Sequence, residues 1–142
     1  MDNVSKTRRS KIMSRVRSSG TEPERVMRAV VRAVTNREVG NNVKGLPGSP
    51  DLTVPDLKLA VFVHGCFWHM CSLHGKLPET DSERWLRKLK RTVRRDEIAT
   101  RKLREMGWDV MIVWEHDLKK PALVREWMRG WISKLEVEKG NG

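Results

Sequence analysis

The stretch "DLTVPDLKLAVFVH", residues 51–64, contains two short β-prone runs, 51–55 and 58–64, joined by a tight turn. Asp51 opens the first run and His64 closes the second, so adjacent strands would bring both side chains to one end of a sheet. A carboxylate at such a strand end is a ligand that Mg²⁺ prefers, and it would suit phosphodiester hydrolysis. A Pro-Asp pair is also common in ordinary turns, so this pattern alone favours a structural role.

Elements on both sides of this stretch complete an α/β pattern. In chain order they are a helix at 22–36, the two strand runs, an irregular loop at 65–80, a long helix at 82–106, a strand at 108–114 and a final helix from Pro121. Thr21 is the predicted N-cap of the first helix, with Glu24 reaching back to complete a capping box. This order predicts an α/β sandwich built on a small mixed sheet.

Apolar spacing predicts the buried faces of the three helices. The predicted stripes are Val26, Val30 and Val34; Trp85, Leu89 and Val93; and Leu123, Trp127, Trp131 and Leu135. Trp108 and Trp114 are also expected in the core. A length of 142 residues fits one domain, which we expect at 21–135, between a basic arm at 1–20 and a polar tail at 136–142.

The charge balance is the most conspicuous global property of the chain. It has 29 Lys and Arg against 18 Asp and Glu, a formal net charge of +11. Such a surface favours nucleic acid first and an anionic membrane surface second, although it can also simply be basic. No apolar run is long enough for a transmembrane helix, and the first twenty residues lack the apolar core of a secretory signal. These features predict a cytoplasmic protein.

Both cysteines and three of the four histidines lie between His64 and His74. Cys66, Cys71, His74 and the more distant His116 could close a tetrahedral zinc site. Their spacing is not a standard zinc pattern, so unligated thiols remain possible, and His64 or His69 could be a ligand instead. A neutral imidazole near Asp51 could equally serve as a general base.

Aromatic residues in the same loop raise a third possibility. Phe67 and Trp68 lie between a cysteine and a histidine, where a core stripe is not expected. In a basic protein, such rings can stack on bases or wedge between them. Trp85 instead fits the stripe of the long helix and is expected in the core.

The segments "LPGSPDL", "VFVHGCFWH", "KLP", "WLRKL" and "GWDVMIVWE" together resemble the very short patch repair (Vsr) endonucleases, over roughly residues 8–120. The resemblance implies a restriction-endonuclease-like fold. It also implies a Mg²⁺-dependent enzyme that nicks one strand on the 5′ side of the thymine in a T:G mismatch, the lesion left by deamination of 5-methylcytosine. The resemblance further implies a protein of the prokaryotic cytoplasm that is associated with the nucleoid when it is bound to DNA. A monomer would suffice, because nicking one strand needs only one active site. It would have no membrane partner and a functional link to a cytosine-5 methyltransferase and mismatch-repair proteins.

The resemblance also implies roles for individual residues. Asp51 and the backbone carbonyl of Val63 would coordinate Mg²⁺, and His69, oriented by Asp96, would be the catalytic histidine. His64 and Glu24 would order metal-bound water, and structural zinc would be bound by Cys66, Cys71, His74 and His116. The intercalating aromatic residues would be Phe67, Trp68 and Trp85. Met13 and Val16 would enter the opposite groove of the DNA. The family commonly has Thr at position 63 and Cys at position 116. Two alternatives stay open: a non-catalytic, zinc-stabilised DNA-binding module, and a restriction-type nuclease acting on matched DNA.

Overall fold

A computed structural model describes residues 21–66, 68–71 and 76–139. In chain order, the elements are helix α1 (Glu22–Val34), strands β1 (Gly40–Asn41), β2 (Leu52–Val54) and β3 (Leu59–His64), helix α2 (Ser82–Glu105), strand β4 (Asp109–Trp114) and helix α3 (Pro121–Glu138). The predicted α/β class and the order of the elements are confirmed. In this part of the chain, no helix is both long and apolar enough to cross a membrane.

The four strands form one small mixed sheet in the order β1-β2-β3-β4. The first two pairings are antiparallel, whereas β3 and β4 run parallel with Val61 opposite Met111. Parallel neighbours need a long crossover connection, and α2 lies within it. This topology places the end of β3 at His64 beside the end of β4 at Trp114.

The two faces of the sheet are covered by different helices. Alternate residues of β3, Leu59 and Val61, belong to a large core with residues of α1 and α3. The residues that alternate with them, Ala60 and Phe62, pack with Leu103 of α2 in a smaller core on the other face. Because side chains alternate along a strand, His64 points to the same face as Phe62, the face that α2 covers.

The turn before Asp51 lies against α2 at Gly48. Its φ is +76°, and a Cβ built there would be 2.7 Å from the Cβ of Ala99 and 3.1 Å from the Phe62 ring. A side chain at this position would therefore clash and would strain the backbone. The close approach fixes the start of β2, and with it Asp51, against the face of the sheet that carries His64.

The prediction for the final helix was wrong about which face is buried. Leu123 is 64% exposed and Trp127 is 44% exposed, although both were expected in the core. The buried residues of α3 are Val124, Met128, Ile132 and Leu135. These form an equally periodic stripe one residue further along, and it is this stripe that packs with α1 in the large core. Trp131, also on the predicted stripe, is only partly buried against that core.

Two smaller predictions also differ from the structure, and part of the predicted tail is helical. Helix α1 ends at Val34 rather than near residue 36, and α3 continues through Glu138, so residues 136–138 of the predicted tail are helical. Thr21 is the N-cap and its Oγ1 accepts the Glu24 N–H at 3.5 Å. The side chain of Glu24, however, is hydrogen-bonded to the carboxyl group of Asp51 rather than turned back to the helix cap.

Candidate functional site

Two carboxyl groups lie together at one end of the sheet: that of Glu24 is buried and that of Asp51 is half-buried. Burial, followed by the hydrogen bond and the charge of Glu24, raises the pKa of Asp51 to about 8. Asp51 Oδ2 also accepts the Val63 N–H at 2.7 Å. On a β-strand, the N–H and C=O of one residue point to the same side, so the Val63 carbonyl also faces this side of β3. Paired carboxyl groups beside a carbonyl form an oxygen-rich donor set that fits a hard divalent cation.

The second half of the site is formed by two histidines and the carboxylate of Asp96. The rings of His64 and His69 are stacked, with centroids 3.8 Å apart and planes 4° apart. Asp96 Oδ2 lies 2.5 Å from His69 Nδ1 and 3.9 Å from His64 Nε2. Burial, followed by the charge of His69, lowers the pKa of His64 to about 4. His64 is therefore neutral at neutral pH, and its buried Nδ1 has no hydrogen-bond partner among the described residues.

Backbone hydrogen bonds fold the segment after β3 into a turn that holds His69 next to His64. The His69 N–H donates to Gly65 O at 3.1 Å, and the Cys71 N–H donates to Cys66 O at 2.9 Å. The Cys66 N–H donates to Glu115 Oε1 at 2.7 Å, which ties this turn to the end of β4. Helix α2 then brings Asp96 to His69 from the other side of the site.

A cavity of about 420 Å³ joins these two halves. Asp51, His64, His69 and Asp96 all contribute to its lining. A second groove, of about 710 Å³, lies between α2 and β4 and shares the two histidines and Asp96 with the first cavity. Four of the five residues predicted to be catalytic therefore line one cavity, and Glu24 joins them through its hydrogen bond to Asp51.

The described residues also include a cluster of two thiols and an imidazole. His116 Nδ1 lies 3.2 Å from Cys66 Sγ and 3.6 Å from Cys71 Sγ. Burial is the largest cause that raises the pKa of the Cys66 thiol, to about 11. The ligand atoms of these three residues lie within 4.8 Å of one another. Two sulfurs and one imidazole nitrogen at this spacing fit the donor set of a zinc ion, which would also favour the thiolate form.

Two tryptophans with a lysine between them lie beside the turn. Trp68 and Trp85 meet edge to face with their ring centroids 6.1 Å apart, and both are half-buried. Lys88 Nζ lies 5.5 Å from the first ring centroid and 5.3 Å from the second. Trp85 is thus not a fully buried core residue, as its helical stripe suggested, but one half of an aromatic pair. Such a pair next to a cation presents a surface suited to bases and phosphates.

Four predicted site residues lie outside the described part of the chain: Met13, Val16, Phe67 and His74. Other contributors were not predicted from the sequence, namely Glu115, Asp117 and Lys88. Lys88 could have been found, because it lies three residues after Trp85 on one helix face. Asp117 directly follows His116, which was a weak signal. Glu115 ends the segment "GWDVMIVWE", but its contact with Cys66 depends on the sheet and could not be predicted from its position.

The chain is similar in sequence to known DNA endonucleases. The family model described as "DNA mismatch endonuclease Vsr" matches residues 1–74. The chain is 37% identical to the DNA mismatch endonuclease Vsr of Escherichia coli, a match covering 80% of this chain and 73% of that protein. It is 39% identical to the type II nicking enzyme V.NaeI of Lentzea aerocolonigenes, covering 81% and 72%. It is 32% identical to the type II nicking enzyme V.NmeAIP of Neisseria meningitidis, covering 92% and 93%.

Proposed function

The chain belongs to the Vsr family of DNA endonucleases, and from that premise we propose that it nicks one strand of duplex DNA on the 5′ side of the thymine in a T:G mismatch. Such a mismatch arises when 5-methylcytosine is deaminated. One observation carries the proposal: a single cavity is lined by Asp51, His64, His69 and Asp96. This cavity combines a cation-binding carboxylate with a carboxylate-oriented imidazole, the two groups that metal-assisted hydrolysis requires.

In this proposal, Asp51 and the Val63 carbonyl would hold Mg²⁺, and Glu24 and His64 would order water at the site. The fit rests on the hydrogen bond between the Asp51 and Glu24 carboxyl groups and on the buried His64 Nδ1, which has no hydrogen-bond partner among the described residues. A bound Mg²⁺ would supply Lewis-acid polarisation of the scissile phosphate and charge stabilisation as the bond breaks. Without a cation the pair retains a proton, as the raised pKa of Asp51 indicates, and a divalent cation bound at Asp51 would take the place of that proton.

His69 is the general base of the proposed reaction. When its Nδ1–H donates to Asp96, as the 2.5 Å contact permits, Nε2 keeps its lone pair for the proton of the attacking water. The negative charge of Asp96 stabilises the imidazolium that forms. His64 stays neutral beside it, because two stacked imidazolium rings 3.8 Å apart would repel each other strongly.

A structural zinc ion is proposed at Cys66, Cys71 and His116, with His74 as the fourth ligand. The donor set of the three described residues supports it, since their ligand atoms lie within 4.8 Å of one another. Cys66 and Cys71 flank His69 in the chain. Zinc would therefore fix the segment that carries the general base, and the free energy of zinc binding would stabilise the folded loop.

Discrimination of the mismatch is proposed to come from intercalation. A T:G wobble stacks less well than a matched pair, so unstacking beside it costs less. Phe67, Trp68 and Trp85 would enter one groove while Met13 and Val16 of the arm at 1–20 brace the other. Inserting a wedge costs a few kcal/mol, roughly, per unstacked step. Stacking on the intruding rings offsets that cost only where unstacking is already easy.

Several further assignments follow from the same proposal. We assign the domain at 21–135 to the restriction-endonuclease-like fold and the arm at 1–20 to DNA contact. An enzyme that acts on chromosomal DNA would work in the bacterial cytoplasm. A single nick needs one active site, so a monomer suffices, and the enzyme would be linked functionally to a cytosine-5 methyltransferase and to mismatch-repair proteins.

A cleavage assay on defined duplexes tests the proposal against its two alternatives. We expect one nick in a T:G duplex with Mg²⁺, none without it, and little cleavage of the matched duplex. Double-strand breaks in matched DNA would favour a restriction-type nuclease. Binding without cleavage under every condition would favour a DNA-binding module.

A further inference from the structure

Asp117 connects the end of β4 to the imidazole of His116. Its Oδ2 accepts the Trp114 N–H at 3.1 Å, and its Oδ1 lies 3.5 Å from His116 Nε2. On the other edge of the same ring, Nδ1 faces the sulfurs of Cys66 and Cys71 at 3.2 Å and 3.6 Å. One imidazole therefore lies between a carboxylate and a pair of thiols.

This arrangement selects one tautomer of His116. A neutral imidazole carries its proton on one nitrogen and a lone pair on the other. A carboxylate beside Nε2 favours the proton there, which leaves the Nδ1 lone pair directed at the thiols. The Trp114 backbone in turn fixes the carboxylate, so the ring orientation is tied to the end of the sheet. Metal-binding histidines depend on such outer partners for orientation and basicity.

We propose that Asp117 is a positioning residue for zinc at Cys66, Cys71 and His116, and that it acts by holding the His116 ring with the Nδ1 lone pair directed at the two sulfurs. The inference rests on the zinc centre proposed above and deepens it. It applies to a histidine at position 116, because a thiolate ligand there would have no ring to orient and no tautomer to select. Asp117 is thus the functional companion of His116 in this chain.

The alternative is that Asp117 only stabilises the turn after β4. The two roles can be separated, because Asn at position 117 keeps a side-chain oxygen that can accept the Trp114 N–H. Asp117→Asn should therefore preserve the turn while removing the charge beside Nε2. A purely structural residue would change the melting temperature of the metal-free protein, whereas a positioning residue changes zinc affinity.

The experiment measures zinc affinity of the full chain by competition with a chromophoric chelator. We expect Asp117→Asn to weaken zinc binding by about 10- to 100-fold, the effect typical of a lost outer partner. Asp117→Glu should recover part of the affinity. The matched control is Asp56→Asn, because Asp56 pairs with Arg37 at 3.5 Å and lies in the turn before β3, at the other end of the sheet. It should bind zinc like the unmodified protein.

A second pair of variants isolates the role of the ring. In a His116→Cys background, adding Asp117→Asn should change zinc affinity by no more than about twofold, because the imidazole ring that Asp117 would orient is no longer present. The visible spectrum of the Co²⁺-substituted protein should shift in Asp117→Asn and stay the same when that change is added to His116→Cys. Equal weakening in both backgrounds, or unchanged affinity in Asp117→Asn, would overturn the inference while leaving the zinc centre intact. Absence of zinc binding by the unmodified protein would overturn both.

Discussion

Replacing Asp96 with Asn tests the contact between His69 and helix α2 while keeping the side chain nearly the same size. The two atoms lie 2.5 Å apart, and the side chains are only 21% and 26% exposed. A hydrogen bond to a charged group in such a setting contributes about 1.5–3 kcal/mol. Since about 1.4 kcal/mol corresponds to a tenfold change in rate, the nicking rate should fall about 10- to 150-fold.

The upper end of that range is expected for a specific reason. The amide of Asn can present an N–H to His69 Nδ1, which would favour the tautomer with the proton on Nε2. That tautomer cannot accept a proton from water at Nε2. His69→Ala should slow the reaction by about 10²–10⁴-fold. The double variant should be no slower than His69→Ala, because the two residues act as one unit.

The assay is single-turnover nicking, with enzyme in excess over an end-labelled T:G duplex in saturating Mg²⁺. Binding of the same duplex should be unchanged, which separates chemistry from affinity. Glu97→Gln is the matched control, because Glu97 is the next residue of α2 and is exposed to solvent. A rate for Asp96→Asn within about twofold of the unmodified protein, with His69→Ala slow, would refute the assignment of Asp96 as the orienting residue.

Four further results are expected. Asp51→Ala should abolish nicking by removing the cation ligand, while duplex binding measured by fluorescence anisotropy largely survives. Elemental analysis should find about one zinc per chain, and stripping it with a chelator should lower the melting temperature. Trp68→Ala should remain folded and zinc-replete but lose much of its preference for T:G over matched duplexes in a competition assay; retained preference would contradict intercalation. Met128→Ala should lower the free energy of unfolding by about 2–5 kcal/mol, whereas Trp127→Ala should cost clearly less, because Trp127 is 44% exposed and Met128 is fully buried.

Local patterns predicted most of the helices and strands. The capping signal at Thr21 and the two β-prone runs depend on residues close in sequence, so they could be predicted without knowledge of the fold. The face of α3 could not be chosen in this way. Leu123, Trp127 and Trp131 have helical spacing, but the stripe that begins at Val124 has it too. Only packing with α1 decides between two such stripes.

The site residues likewise differ in how far local sequence patterns could predict them. Asp51 and His64 could be expected at one end of the sheet, because adjacent strands place them there. The contact between His69 and Asp96 joins residues 27 positions apart, and nothing in their spacing predicts it. Resemblance to a family suggested that pair. Glu24 shows the opposite limit: its sequence position indicates a helix cap, but its side chain is hydrogen-bonded to Asp51.

The contact that ties the loop at Cys66 to the end of β4 has a consequence for protein synthesis. Glu115 and His116 hold a segment that leaves the ribosome about fifty residues earlier. At roughly 5–20 residues per second, the ribosome needs about one to four seconds to go from Asp96 to His116. During that interval every proposed catalytic residue has been synthesised, but strand β4, which pairs with β3 beside them, is not yet complete. We expect nascent chains stalled before β4 to leave the Cys66 segment open to protease, and chains stalled well beyond α3 to protect it.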